Sequence, residues 1–343
     1  MMEAWLPLIW AALLTVAVFM YLLLDGFDLG IGILFPFAPG DRDRDVMMNS
    51  VAPVWDGNET WLVLGGGGLF AAFPKAYAAL MPAIYMPVGF MLVGLIFRGV
   101  AFEFRFRSGG VLRRVWDQAF HWGSLVAAFA QGLILGTLVQ GIQLQDARYA
   151  GGMFDWLTPF SFFTGFALVW GYALLACGWL IIKTEAELNQ WARRLGLVTG
   201  IMVIAFIIIV SLWVPALDAA TAMRWGIDYP DVDWARLMPM LPIPIGVAVV
   251  AWVMFAALLR PQWIHAPFVC AMLLFLLSYI GLLVSFYPYL VPYSLTIQDA
   301  AAAPNAQAFL LVGALVLLPV ILGYTAYVYW VFRGKVKLDA GYH

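Results

Sequence analysis

The sequence predicts an all-α polytopic membrane protein, a helix bundle of about nine transmembrane helices, and three observations carry that prediction. Hydrophobic residues fill 64% of the 343 positions and charged residues only 11%, where soluble domains carry about 25% charged residues. Mean hydropathy is +0.91. Apolar stretches long enough for the roughly 30 Å hydrocarbon core recur along the whole chain. Little length is left for a soluble domain, and the net charge of −2 indicates no nucleic acid partner.

Read as one integral membrane domain, residues 1–343 divide into helices at about 5–37, 47–73, 76–103, 117–140, 159–182, 195–216, 238–259, 267–290 and 308–332. The first lacks a basic region and a small-residue cleavage site and exceeds signal-peptide length, so it reads as a retained span. The polar breaks are short, as at 40–45 and 105–114. The longest, Asp218 to Arg236, holds Trp225-Gly226-Ile227-Asp228-Tyr229-Pro230 and is too small to fold alone.

Lysine and arginine accumulate in cytoplasmic loops. With the N-terminus outside (periplasmic) and the C-terminus inside, Arg42, Arg44, Arg98, Arg105, Arg107, Arg113, Arg114, Lys183, Arg193, Arg194, Arg260, Arg333, Lys335 and Lys337 all fall on the cytoplasmic side. Only Lys75, Arg148, Arg224 and Arg236, of 18 basic residues, fall outside. That asymmetry predicts an odd number of spans.

Two acidic clusters interrupt the apolar runs: Asp25-Gly26-Phe27-Asp28 and Trp55-Asp56-Gly57-Asn58-Glu59-Thr60-Trp61. A carboxylate in hydrocarbon costs several kcal/mol, about 3 on lenient scales, so intramembrane acids face a protein interior, a cavity or a partner and mark proton or ion pathways. Asp25 and Asp28 precede the polar run at Gly40 by roughly 18–23 Å of helix, and Asp56 and Glu59 lie roughly 14–18 Å into the second span. Both clusters can meet in the cytoplasmic half. Within each, the two acids are three residues apart and share a helix face.

Plainer readings stand beside this one. The first span can end at Leu24, leaving 29–37 as a re-entrant segment. Asp56 and Glu59 can cap a helix start just after Pro53. Arg98 and Glu103 can snorkel to the interface, or Arg98 can be the counter-charge of a neighbouring carboxylate. Gly65-Gly66-Gly67-Gly68 lacks the Lys-Ser/Thr of a phosphate loop and reads as a site of close helix approach.

Of three histidines, His121 starts a span, His265 lies in a short loop and His343 ends the chain. No two stand mid-membrane at matching depth as axial haem ligands, so the chain by itself is expected to hold no haem and no other metal. Cys177 and Cys270 each sit in an apolar run and read as packing residues.

The motifs Asp25-Gly26-Phe27-Asp28-Leu29-Gly30, Asn49-Ser50-Val51-Ala52-Pro53, Trp55-Asp56-Gly57-Asn58 and Phe70-Ala71-Ala72-Phe73-Pro74 resemble subunit II of cytochrome bd-type quinol oxidases. The resemblance continues through Phe97-Arg98-Gly99-Val100-Ala101-Phe102-Glu103, Trp116-Asp117, Lys183-Thr184-Glu185, Ser294-Leu295-Thr296-Ile297 and Tyr324-Thr325-Ala326-Tyr327 to Tyr329-Trp330. It thus spans nearly the whole chain.

The resemblance implies a haem-free subunit of a bacterial inner-membrane respiratory oxidase that reduces oxygen to water with quinol electrons. Its partner, subunit I, would carry two b-type haems and one d-type haem. Small accessory single-span subunits, membrane lipid and a structural quinone are further companions of the family. Residue by residue, Asp56 matches the acid that passes cytoplasmic protons toward the partner's haems, with Asp25, Asp28 and Glu59 beside it. Trp55, Asn58, Arg98, Glu103 and Asp117 would support the path. Glu59 stands where some relatives have Gln, and Val54 where some have His; with the shorter loops these suggest the cyanide-insensitive branch. From the residues alone, a proton- or sodium-coupled secondary transporter is the competing reading, although no clear inverted pair of interrupted spans is visible.

Overall fold

The computed structural model describes residues 2–228 and 231–336. Lys337 and His343, used above for orientation and haem ligation, and the Tyr229-Pro230 pair lie outside the described residues. The chain builds thirteen helices and three two-stranded antiparallel hairpins among those residues.

Helix α1 (Met2–Leu34) carries no charge between Glu3 and Asp25, so nothing in its sequence interrupts a crossing. A 3-10 turn, Phe35–Phe37, ends it at Pro36, which cannot donate to the helical ladder. Helix α2 (Asp41–Val51) opens with Asp41 and Asp43 at the positive end of its macrodipole and buries Met47, Met48, Ser50 and Val51. Helix α3 (Trp55–Ala72) follows after three residues, and α4 (Pro74–Arg105) starts with proline at its first position.

The single span expected over 47–73 is therefore two helices. Pro53 lacks the N–H an unbroken helix needs; Ala52 keeps helical dihedrals and Val54, at φ −124°, leaves them, so the chain turns over Ala52–Val54. Among the described residues, eight helices are long and apolar enough to cross a membrane, and α3, whose first turns hold Asp56, Asn58 and Glu59, is not one of them.

Helix α5 (Gly110–Gln140) begins seven residues before the expected 117, and α7 (Ala186–Leu217) nine before the expected 195. The added turns carry Arg113 and Arg114, or Glu187, Arg193 and Arg194. Hydropathy locates the part of a helix in lipid, whereas the hydrogen-bonded ladder continues into water. Between these two, α6 (Pro159–Lys183) starts at a capping box formed by Thr158 and Ser161.

The long loop after α7 folds into α8 (Ala219–Arg224), capped by Asp218, a hairpin pairing Ile227–Asp228 with Asp231–Val232, and α9 (Trp234–Leu237), capped by Asp233. Then come α10 (Pro242–Leu258), α11 (Ala266–Phe286), a hairpin at Tyr289–Val291 and Leu295–Thr296, the short α12 (Ile297–Ala300) and α13 (Pro304–Val331). Beyond α13 the chain is tied to the end of α6: the Lys183 ammonium donates to the Phe332 carbonyl, and Lys335 donates to the Thr184 carbonyl at 2.6 Å.

Helices α1, α5 and α6 form the centre, with α3, α4 and α7 packed around them. Small residues bring their backbones together. A Cβ on Gly94 of α4 would stand 2.6 Å from the Gly123 carbonyl of α5, and one on Gly30 of α1 would stand 2.0 Å from the Tyr172 carbonyl of α6. Such close approach maximises van der Waals contact where lipid provides no hydrophobic drive. The Gly65–Gly68 run divides instead: Gly65 and Gly68 touch α1, while Gly66 and Gly67 meet nothing within 4 Å. Helix α13 is the least buried of the long helices.

Candidate functional site

Asp25 and Asp28 are both 0% exposed on α1, whose i, i+3 spacing turns them toward the same neighbours. The first span does not end at Leu24; it runs unbroken through both acids. Facing them are Asn58 and Glu59 from the start of α3 and Arg98 from mid-α4.

Arg98 organises the pocket. It is 0% exposed, so it does not snorkel. Its Nη1 donates to Asp25 Oδ1 at 2.5 Å and its Nη2 to Glu59 Oε2 at 3.0 Å. The guanidinium also lies 5.7 Å from the centre of the Trp55 ring, and Trp55 stacks on Phe102 with ring centres 4.8 Å apart. Asn58 ties the second aspartate: its Nδ2 donates to Asp28 Oδ2 at 2.7 Å and to the Leu24 carbonyl at 3.2 Å. Asp25 Oδ2, Asp28 Oδ1 and Arg98 Nε have no protein partner. Two fully buried carboxyls and the partly exposed Glu59 thus gather around one guanidinium, and the charge of the pocket depends on how many protons they share.

Asp56 is not in this pocket. It is exposed, and two residues along an α-helix place it about 160° around α3 from Asn58. Among the described residues it forms no ion pair. Glu59, with its side chain 28% exposed, stands between the buried aspartates and the surface where Asp56 lies. The expected meeting of the two acidic clusters therefore brings together Asp25, Asp28 and Glu59 and leaves Asp56 outside. The shared face expected of Asp56 and Glu59 holds along α3, where three residues set them about 60° apart, and Arg98 turns only the Glu59 carboxylate inward.

Glu103 and Asp117 are also elsewhere. Glu103 is exposed and reaches Arg107 at 3.7 Å. Asp117 accepts from Arg105 at 2.5 Å in a second charged group with Asp45 and Arg113. Arg105 is seven residues beyond Arg98, about 10 Å along α4.

Sequence reasoning missed four polar side chains. The Tyr329 hydroxyl of α13 donates to Asn58 Oδ1 at 2.9 Å. Behind the aspartates, Tyr172 donates to Gln131 Oε1 at 2.6 Å and Gln131 Nε2 donates to the Tyr21 hydroxyl at 2.7 Å. Tyr21 lies one helical turn before Asp25, a spacing visible in the sequence. Its connection to α5 and α6 is not.

No group of three metal-ligating side chains occurs among the described residues. His121 sits about three turns into α5, with Nδ1 3.1 Å from the Gly32 carbonyl, and His265 is exposed in a loop. Neither is placed to hold a haem iron over an apolar pocket, so the described residues do not fit that group. Cys177 and Cys270 are free and buried.

Comparison with known proteins adds a family and a fold. Residues 6–332 match the family model described as cytochrome bd terminal oxidase subunit II. The chain is 28% identical to the probable cytochrome oxidase subunit 2 of Haemophilus influenzae, over 98% of this chain and 96% of that protein. It is 28% identical to the cytochrome bd-I ubiquinol oxidase subunit 2 of Escherichia coli K12, covering 97% and 96%, and 28% identical to the cytochrome bd ubiquinol oxidase subunit 2 of Bacillus subtilis, covering 96% of each. Among solved structures, a chain of the bd oxidase from Geobacillus thermodenitrificans superposes with a TM-score of 0.76 at 17% identity, covering 95% of this chain and 98% of that one.

Proposed function

We propose, from the premise that this chain belongs to the cytochrome bd terminal oxidase subunit II family, that it is the haem-free partner which delivers cytoplasmic protons to subunit I. As a family member it is a component of a quinol oxidase of the bacterial inner membrane, working beside a second subunit. On the proposed reading the two b-type haems, the d-type haem and the oxygen chemistry belong to that partner. No step here runs through them. A structural quinone or lipid and small accessory subunits belong to the same expectation.

The observation that carries the proton path is the position of Glu59. It joins a fully buried carboxyl pair, through Arg98, to the exposed stretch of α3 that holds Asp56. A relay needs titratable groups within reach of one another, and a fixed opposite charge beside them favours their ionised forms against burial. Asp25, Asp28 and Glu59 supply the proton sites, and Arg98 supplies the fixed charge. Asn58, held by Tyr329, orients Asp28. Asp56 then offers a carboxylate at the protein surface, where a partner subunit would take the proton on. The N-outside orientation puts the pocket about 10 Å inward from the arginine-rich cytoplasmic ends of α4 and α5. A role in assembly is supported by the exposed apolar length of α13 and the open face of α3 at Gly66 and Gly67.

The test is Asp56→Asn in the intact oxidase. Oxygen reduction and proton uptake should slow together by about tenfold or more, as for loss of a proton-transfer group, while the reduced-minus-oxidised haem spectrum stays that of the parent. Unchanged turnover would remove Asp56 from the path. Purification of the tagged chain from its own membranes tests the wider reading: a haem-bearing membrane partner should accompany it, and a colourless chain purifying alone would favour a transporter.

A further inference from the structure

The cytoplasmic-side ends of α1, α4 and α5 enclose a feature that the proton path does not use. Between the 35–37 turn, the start of α2 and the start of α5 lies an open cleft of about 800 Å³. Arg42, Arg44, Arg113 and Arg114 line it, together with Asp41, Asp45 and Asp117, and Arg105 lies buried beneath.

The aspartates are all engaged. Asp45 accepts from Arg105 at 2.7 Å and from Arg113. Asp117 accepts from Arg105 at 2.5 Å and stands 4.0 Å from Arg44, which Asp41 holds at 2.8 Å. Five guanidinium groups against three carboxylates leave a local charge of +2, and Arg42 and Arg114 pair with no carboxylate among the described residues. Helix α5 adds to this potential: it starts without a side-chain cap and without an acid in its first turn. Asp43 and Glu187 do not line the cleft.

The rim of the cleft is apolar. On its membrane side Phe37, next in the chain to the lining Pro36 and 6.4 Å from the His121 ring, is 65% exposed; Val111, in the first turn of α5, is exposed at the outer edge. Uncommitted arginines next to exposed apolar side chains, at the end of membrane-spanning helices, match a molecule that is anionic at one end and hydrocarbon at the other. We propose that this cleft seats the phosphate headgroup of an anionic phospholipid. Arg42 and Arg114 close on the phosphodiester, and the acyl chains run along Phe37 toward the lipid-borne part of α5. A free phosphate would use the arginines and gain nothing from the rim.

The experiment reconstitutes the whole oxidase in nanodiscs of phosphatidylglycerol and phosphatidylcholine and counts retained lipid by native mass spectrometry. The parent should retain phosphatidylglycerol that the Arg42→Ala, Arg114→Ala double variant loses. Its affinity should fall about thirtyfold, from about fivefold for each arginine near the membrane surface. Millimolar inorganic phosphate should not displace the lipid. Equal phosphatidylglycerol retention by parent and double variant would overturn the proposal, as would displacement by phosphate alone, which would make the cleft a free-anion site. Phe37→Glu places a carboxylate at the exposed rim without touching an arginine. It should lose the lipid in the same way, so the proposal stands or falls on it should the double variant fail to assemble.

Discussion

Replacing Arg98 with Met removes the one cation that the described residues place in a pocket of three carboxyls. Arg98 and Asp25 are both 0% exposed and joined at 2.5 Å, and Asp25 Oδ2 already lacks a partner. Without the guanidinium, Asp25 is left uncompensated in a dry interior. Breaking a buried pair in this way costs about 3–5 kcal/mol, or a factor of roughly 10² to 5 × 10³ in the folding equilibrium. Asp25→Asn alone keeps the shape and leaves Arg98 its Glu59 partner at 3.0 Å, so it should cost less. Glu59 is partly exposed, and Glu59→Gln should cost about 1 kcal/mol at most. The double variant Asp25→Asn, Arg98→Met should then be more stable than the sum of its parts predicts, by about 2–3 kcal/mol. The assay is SDS titration of the purified oxidase in mixed micelles, followed by tryptophan fluorescence. Additive single and double variants, or an Arg98→Met protein within about 1 kcal/mol of the parent, would refute the ion-pair account.

Other outcomes follow from packing, hydrogen bonding and charge. Gly94→Ala places a Cβ 2.6 Å from one backbone atom and 2.9 Å from another, which should force α4 from α5 and cost about 1–3 kcal/mol in the same titration. Gly67→Ala meets nothing within 4 Å and should gain about 0.5–1 kcal/mol in helix preference, so a loss would mean that this face is covered in the complex. Gln131→Leu strips the Tyr21 and Tyr172 hydroxyls of their shared partner. It should destabilise by about 2 kcal/mol, whereas Gln131→Glu should be tolerated better; equal losses would argue against the hydrogen-bonded chain.

Asp43 provides a pH test outside the membrane spans. Burial and then the nearby charge of Glu187 raise its pKa above the usual 3.8, and the Gly40 backbone opposes them. Its contribution to stability is therefore fully present below 3.8 and lost as pH rises through the raised folded value. Asp43→Asn should accordingly stabilise the protein near about pH 7 and make little difference at about pH 3.5. Thermal unfolding at both values decides, and a destabilised variant near neutrality would reverse the sign of the argument.

The sequence by itself determined the membrane class, the helical content and the choice of acidic motifs. Composition and span-length apolar runs report directly on the solvent a segment tolerates, so they are legible without any tertiary contact. Helical spacing also placed Asp25 and Asp28 on one face, and both proved buried. It foresaw Arg98 as one of two outcomes, snorkelling residue or counter-charge, because sequence gives depth along a helix and not the neighbour it meets. Tertiary structure decided the rest. Helix rotation chose Glu59 over Asp56 for the pocket, sent Glu103 to the surface and joined Asp117 to Arg105. Tyr329 and Gln131 reached the site across 271 and 110 residues of chain from their partners. The break at Pro53 was written in the sequence but hidden by an apolar average, since hydropathy sums side chains and a helix ends on a missing backbone N–H. Which carboxyls share a counter-ion is settled by packing at close-set glycines such as Gly30, Gly94 and Gly123, while Asp56 and Glu59 stand only about a sixth of a turn apart on α3.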